Sequence, residues 1–149
     1  MLFNYKDPKY PETNYTLYFL CVFIVIGSVF LYGKIRCTFK WFSDPLSFSY
    51  NHNVDGWILS HLVCFILAGI YFPNTFILSM IVGILWEIFE DWLGRTQPKW
   101  LSGFGDCMNV SQTGVKSKKN KYWWYGKYDD IYADFMGFLI GKYIILPNI

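Results

Sequence analysis

The chain has 149 residues, of which 54% are hydrophobic, 22% aromatic and 16% charged, with a formal net charge of +2. Its length is that of one domain, 1–149, and its charged fraction lies well below the roughly 25% of soluble proteins, which points to an integral membrane protein. The small net charge, with no basic block interleaved with aromatics, excludes a nucleic-acid-binding module.

In chain order, the polar and aromatic N-terminus leads into a first apolar run at about 16–33, TLYFLCVFIVIGSVFLYG, which contains no charge. No small-residue cleavage pattern follows it, so it reads as a retained helix and not as a signal peptide. A polar connection over 34–54 carries Lys34, Arg36 and Lys40. A second apolar run, about 56–72, is interrupted by Ser60 and His61, and Asp55 before Gly56-Trp57 reads as its N-cap. Pro73-Asn74 then turns the chain into a third run at about 75–93, so that helices two and three form an antiparallel hairpin. A longer connection, 94–129, carries Arg95, Lys99, Lys116, Lys118, Lys119, Lys121 and Lys127, and its 111–121 stretch reads as a mobile loop. The last run covers about 130–147. Spanning a bilayer takes about 20 mainly apolar residues. The expected fold is therefore all-α and polytopic, with about four transmembrane helices and a polar loop between helices three and four.

Glycines at 83, 137 and 141 are the expected points of close helix approach. Most of the seven tryptophans fall near predicted span ends and read as interfacial belts. Cys21, Cys37, Cys64 and Cys107 have no paired short spacing, which argues against a disulfide or zinc framework. With four spans, the two long connections share one side of the membrane. Their lysines and arginines place them in the cytoplasm, or on the matrix side of an organelle, with both termini opposite. Lys6 and Lys9 argue weakly for the reverse.

Acidic groups at membrane depth cost about 2.5–3.5 kcal/mol each and are usually functional. At 1.5 Å per residue, His61 lies about 9 Å below the start of helix two and Glu87 about 9 Å below the end of helix three. Asp134 lies about 6 Å below the start of helix four at Asp130. These ends all open towards the basic connections. Glu87 and Glu90 share one helix face, as do Asp130 and Asp134. Adjacent carboxylates in low dielectric repel and cannot all stay ionised without a cation, and an all-oxygen set suits calcium or magnesium. The sharp expectation is a divalent-cation site made by Glu87, Glu90, Asp130 and Asp134, with His61 beside it as general base. The competing reading has the acids pair with Lys127, Arg95 or Lys142, or with a partner subunit. Lys142 itself reads as snorkelling to the opposite interface. His52, in a polar loop, is assigned no role.

The order His61, Glu87-Ile88-Phe89-Glu90, Trp123-Trp124, Asp130, Asp134 and the glycines of helix four resembles the core of eukaryotic base-exchange phosphatidylserine synthases. That resemblance implies a membrane enzyme exchanging phospholipid head groups with calcium ahead of magnesium, the histidine as base and the carboxylates on the metal. Arg95, Lys99 and Lys127 would then attract anionic head groups of membrane phospholipid. The run Asp130-Ile-Tyr-Ala-Asp134-Phe-Met-Gly137-Phe-Leu-Ile-Gly141 is also similar to VanZ-like small membrane proteins, with Asp134 where that group has asparagine. This resemblance implies a drug- or lipopeptide-resistance role. The remaining alternative is a non-catalytic accessory subunit of a larger membrane or virion assembly, its acids paired with cations of partner membrane subunits.

Overall fold

A computed structural model describes residues 10, 12–39, 44–47, 55–105, 107 and 123–148. The expected mobile loop at 111–121, His52, Lys40, Lys6 and Lys9 lie outside the described residues. The fold is all-α, as expected. Four helices, α1 (Tyr15–Thr38), α2 (Gly56–Tyr71), α3 (Phe76–Thr96) and α4 (Tyr128–Leu139), account for the expected runs. A π-helical turn (Ile140–Ile145) and a 3₁₀ turn (Leu146–Asn148) extend α4. Among the described residues, α1 alone is long and apolar enough to cross a membrane by length and composition, since α2 is apolar but has 16 residues.

The helix ends follow from local chemistry. Asn14 Oδ1 accepts from the Leu17 amide and caps α1, and Asp55 Oδ1 accepts from the Ile58 amide and caps α2, both at 3.0 Å. α3 ends where Gln97 adopts a left-handed conformation (φ 42°) just before Pro98, which cannot continue a helix. Asp129 and Asp130 occupy the first turn of α4, where the helix dipole favours negative charge. α1 runs further than the sequence suggested, so Lys34 and Arg36 belong to its last turns and not to a polar connection.

The main partner of α2 is α4, not its sequence neighbour α3. Glycines make this possible. A side chain at Gly137 would meet the Leu62 carbonyl, one at Gly141 the Ile66 carbonyl, and one at Gly69 the Phe138 carbonyl. The two backbones touch along this stripe, and Gly69 adds to it a glycine that the sequence pattern did not single out. The π-helical turn begins beside it.

The polarity of the packing is inverted. Arg36, Asp44, Thr75, Ser79, Glu87, Asp130, Asp134 and Lys142 are buried. Meanwhile Phe23 (69% exposed), Ile24, Leu31, Val63, Leu85, Ile88 and Ile144 face outwards. Lys142, expected to reach the opposite interface, is instead buried, with its ammonium over the rings of Tyr10 and Tyr143. Among the described residues, Leu93, Leu101 and Trp124 form a buried apolar cluster, with Val29, Phe30, Trp86, Phe89, Phe104 and Trp123 packed around them.

The cysteine expectation is corrected. Cys37 and Cys107 form a disulfide, with their Cα atoms 5.3 Å apart. The partners are far apart in sequence, and their approach depends on Gly33 and Gly105 letting the end of α1 touch the 99–107 segment. No spacing rule could show that. Cys21 and Cys64 are free, as read.

Two glycine substitutions test the helix stripe. Gly141→Ala drives a methyl into the Ile66 carbonyl and should cost about 1–3 kcal/mol. Gly27→Ala meets nothing within 4 Å and should be neutral or stabilising by up to about 1 kcal/mol. Thermal unfolding of the purified full-length variants measures both.

Candidate functional site

The α2–α4 contact sets His61 of α2 against Asp134 of α4, their Nδ1 and Oδ1 atoms 2.9 Å apart. An ionised carboxylate only accepts, so Nδ1–H donates and Nε2 is left for other work. That nitrogen lies 3.6 Å from Glu87 Oε1 of α3. His61, Glu87 and Asp130 each offer one potential ligand atom, all within 4.8 Å of one another. Three of the four carboxylates expected at a cation site are almost wholly buried: Glu87 at 4%, Asp130 at 3% and Asp134 at 1% exposed. Glu90 lines the same cleft. Gly83 makes room for Asp134, since a methyl there would sit 2.5 Å from its Oδ2.

Each of these three carboxylates also has an oxygen that makes no hydrogen bond: Glu87 Oε1, Asp130 Oδ1 and Asp134 Oδ2. Buried anionic oxygens are expensive to leave unpaired, and the asymmetry is what singles the site out. The lysine that lines the cleft is already engaged. Lys127 binds Asp55 through its ammonium and lies 4.8 Å over the Tyr125 ring. Burial works to lower the pKa of Lys127, but its hydrogen bonds to Asp55 and Tyr125 outweigh this and push it above the ordinary lysine range. Its backbone amide donates to Glu87 Oε2 at 2.7 Å, which fixes the carboxylate and leaves Oε1 turned towards His61. His61 is thus paired with Asp134 and crowded by Glu87 and Asp130.

The cleft is small and partly open, with a cavity volume of about 20 Å³, room for a water or a bare ion, and is lined by Trp57, His61, Glu90, Trp123, Trp124, Tyr125, Lys127 and Asp130. Its aromatic wall is held by Asp44, which the sequence pattern did not reveal. Asp44 Oδ2 accepts from the indole N–H of Trp57 (3.0 Å) and of Trp123 (2.8 Å). Its Oδ1 accepts from Tyr32 (2.5 Å) and from the Leu46 amide (2.9 Å). Trp124 donates to the Phe104 carbonyl at 2.7 Å and is almost fully enclosed. The tryptophan pair therefore forms a packed roof, contrary to the interfacial-belt expectation for these two residues. The adjacency Trp123-Trp124 was the available signal, and nothing local pointed to Asp44.

Of the three cations expected to meet head groups, Lys127 lines the cleft. Arg95 is well exposed and pairs with Asp91 at 2.8 Å on its own helix, and Lys99 is exposed in a 3₁₀ turn (Lys99–Leu101). Neither is among the lining residues. Compared with known proteins, the chain matches no family model, no curated protein and no solved structure.

Asp44→Asn tests the roof. Whichever way the amide turns, its NH₂ faces a donor, leaving at least one buried N–H unpaired at about 1–3 kcal/mol. The expected outcome is a lower unfolding midpoint with tryptophan emission that is red-shifted and more readily quenched by acrylamide.

Proposed function

We propose that this chain is a polytopic membrane protein whose acidic cleft binds a divalent cation, calcium in preference to magnesium, and exchanges phospholipid head groups at the membrane surface. The observation that carries the reading is the buried cluster of His61, Glu87 and Asp130, in which Glu87 Oε1 and Asp130 Oδ1 make no hydrogen bond. An anionic excess enclosed by apolar packing needs a counter-charge, and oxygen ligands without thiolates suit a hard cation. The outward apolar faces of all four helices, around a buried polar interior, support a lipid surrounding: in water, exposed apolar area of this extent is uncommon.

In this reading Glu87, Glu90 and Asp130 would hold the cation. Asp134 is a positioning residue: it orients His61 and is itself seated against Gly83. A bound divalent cation would offset charge on the phosphoryl oxygens of a lipid phosphodiester. His61 Nε2 takes the proton of an incoming hydroxyl, whose oxygen attacks phosphorus. The P–O bond to the outgoing head group breaks, and the proton passes from His61 to the departing alkoxide. The cleft has room for a bare ion, and the head group would approach it from the open side. Lys127, beside it, would face the phosphate.

Terbium luminescence excited through the lining tryptophans tests cation binding. Wild-type protein should sensitise terbium and lose the signal to added calcium, and Glu87→Gln and Asp130→Asn should weaken binding at least tenfold. His61→Gln should keep the cation but lower serine or ethanolamine exchange on labelled phospholipid vesicles by about 10²–10⁴-fold. Retained cation binding with exchange equal in wild type, His61→Gln and chelator would leave a cation-stabilised accessory subunit. No sensitised terbium would remove the cation site altogether.

A further inference from the structure

The Cys37–Cys107 disulfide lies at the same end of the bundle as the acidic cleft. Cys37 is in the last turn of α1. Two residues before Cys107, the Gly105 amide donates to the Gly33 carbonyl at 3.2 Å, and the Gly105 carbonyl accepts from Arg36 at 2.5 Å. Gly105 packs directly on Trp123, whose ring lines the cleft. Lys127 and Asp55 join the starts of α4 and α2 at this end. At the other end, the first turn of α1 meets the first turn of α3 through Tyr18 and Ser79, 3.1 Å apart. The bond and the cleft therefore share one face of the membrane if the helices span it.

We infer that this face lies in an oxidising compartment, so that the acidic cleft opens away from the cytosol. The inference rests on the membrane-spanning reading above and reverses the sidedness that the basic connections suggest. Disulfides persist in secretory, periplasmic or external spaces, and are kept reduced in the cytosol. Forming this bond removes one hydrogen from each thiol. The two protons and two electrons pass to a protein disulfide of that compartment, which becomes a dithiol while one S–S bond forms.

The basic connections stand against this placement. The positive-inside bias counts basic residues near span ends. Of those at this end, Arg36 is buried against Gly105 and Trp123, Lys127 is bound to Asp55 and Arg95 is paired with Asp91, whereas Lys99 is exposed and Lys40, Lys116, Lys118, Lys119 and Lys121 lie outside the described residues. A covalent requirement outweighs this statistical bias. The placement also suits calcium, since extracellular calcium modules operate with Kd of about 10⁻⁴–10⁻³ M, within reach of a site with no dedicated binding loop.

Thiol alkylation of the full-length chain in sealed vesicles with the cytoplasmic face outward tests this, with Cys21 and Cys64 replaced by alanine. The probes are a membrane-impermeant polyethylene-glycol maleimide and an impermeant phosphine reductant. A separate variant carries Tyr71→Cys, at the opposite end of α2, where the side chain is 71% exposed. The expected result is that Tyr71→Cys is alkylated in sealed vesicles without reductant. Cys37 and Cys107 should take up two adducts only when detergent and phosphine are both present. Adducts on Cys37 and Cys107 without reductant, or with reductant while the vesicles remain sealed, would overturn the inference. Release of the protein by alkaline carbonate, or labelling of Tyr71→Cys from the same side as the pair, would instead remove the spanning reading itself.

Discussion

The rest of the structure depends on the backbone contact between α2 and α4. Gly69, Gly137 and Gly141 remove the side chains that would hold these helices apart. Only at that separation do His61 and Asp134 reach hydrogen-bond distance. Gly83 of α3 then gives the second oxygen of Asp134 a place to sit, and the Lys127 amide fixes Glu87 opposite. Close packing is thus the cause of the charge crowding. A bundle with ordinary interhelical spacing would leave these acids hydrated and well separated.

Above this contact lies a second layer of different chemistry. Asp44 gathers two indole N–H groups, a phenol and a backbone amide, which converts flexible aromatic rings into a fixed wall. Trp123 and Trp124 meet edge to face, with ring centres 4.6 Å apart, and Phe30 packs on Trp124. The disulfide ties α1 to the segment beneath that wall. Without these restraints the cleft end of the bundle would lack a fixed wall. The aromatic wall also keeps the dielectric low around the acids, so that unpaired oxygens there cost more than on an open surface.

Much of this was legible in the sequence because it depends on local periodicity. The four helices, the Asp55 cap and the turn at Pro73 each rest on a few neighbouring residues, and depth arithmetic brought His61, Glu87, Asp130 and Asp134 to one level. Gly83, Gly137 and Gly141 were read as close-approach points and are such points. Pairings across long separations were not legible. Asp44 meets Trp123, Cys37 meets Cys107 and Lys127 meets Asp55 through tertiary approach that no spacing encodes. The different parts played by the acids were also hidden. Sequence treats Asp134 and Asp130 alike, whereas the structure hydrogen-bonds Asp134 to the histidine and sets Asp130 in the lining of the cleft.

The central claim is that carboxylate repulsion in the cleft is held in check by a cation. Thermal unfolding of wild type and Glu87→Gln, each with chelator and with calcium, tests it directly. The substituted side chain keeps an acceptor for the Lys127 amide but removes one charge. With chelator, the variant should be at least as stable as wild type. Calcium at about a hundred times its Kd should stabilise wild type by about 2.7 kcal/mol, a rise of several degrees in midpoint, and the variant much less. Equal calcium shifts in both proteins, or a variant that is less stable in chelator, would contradict the account.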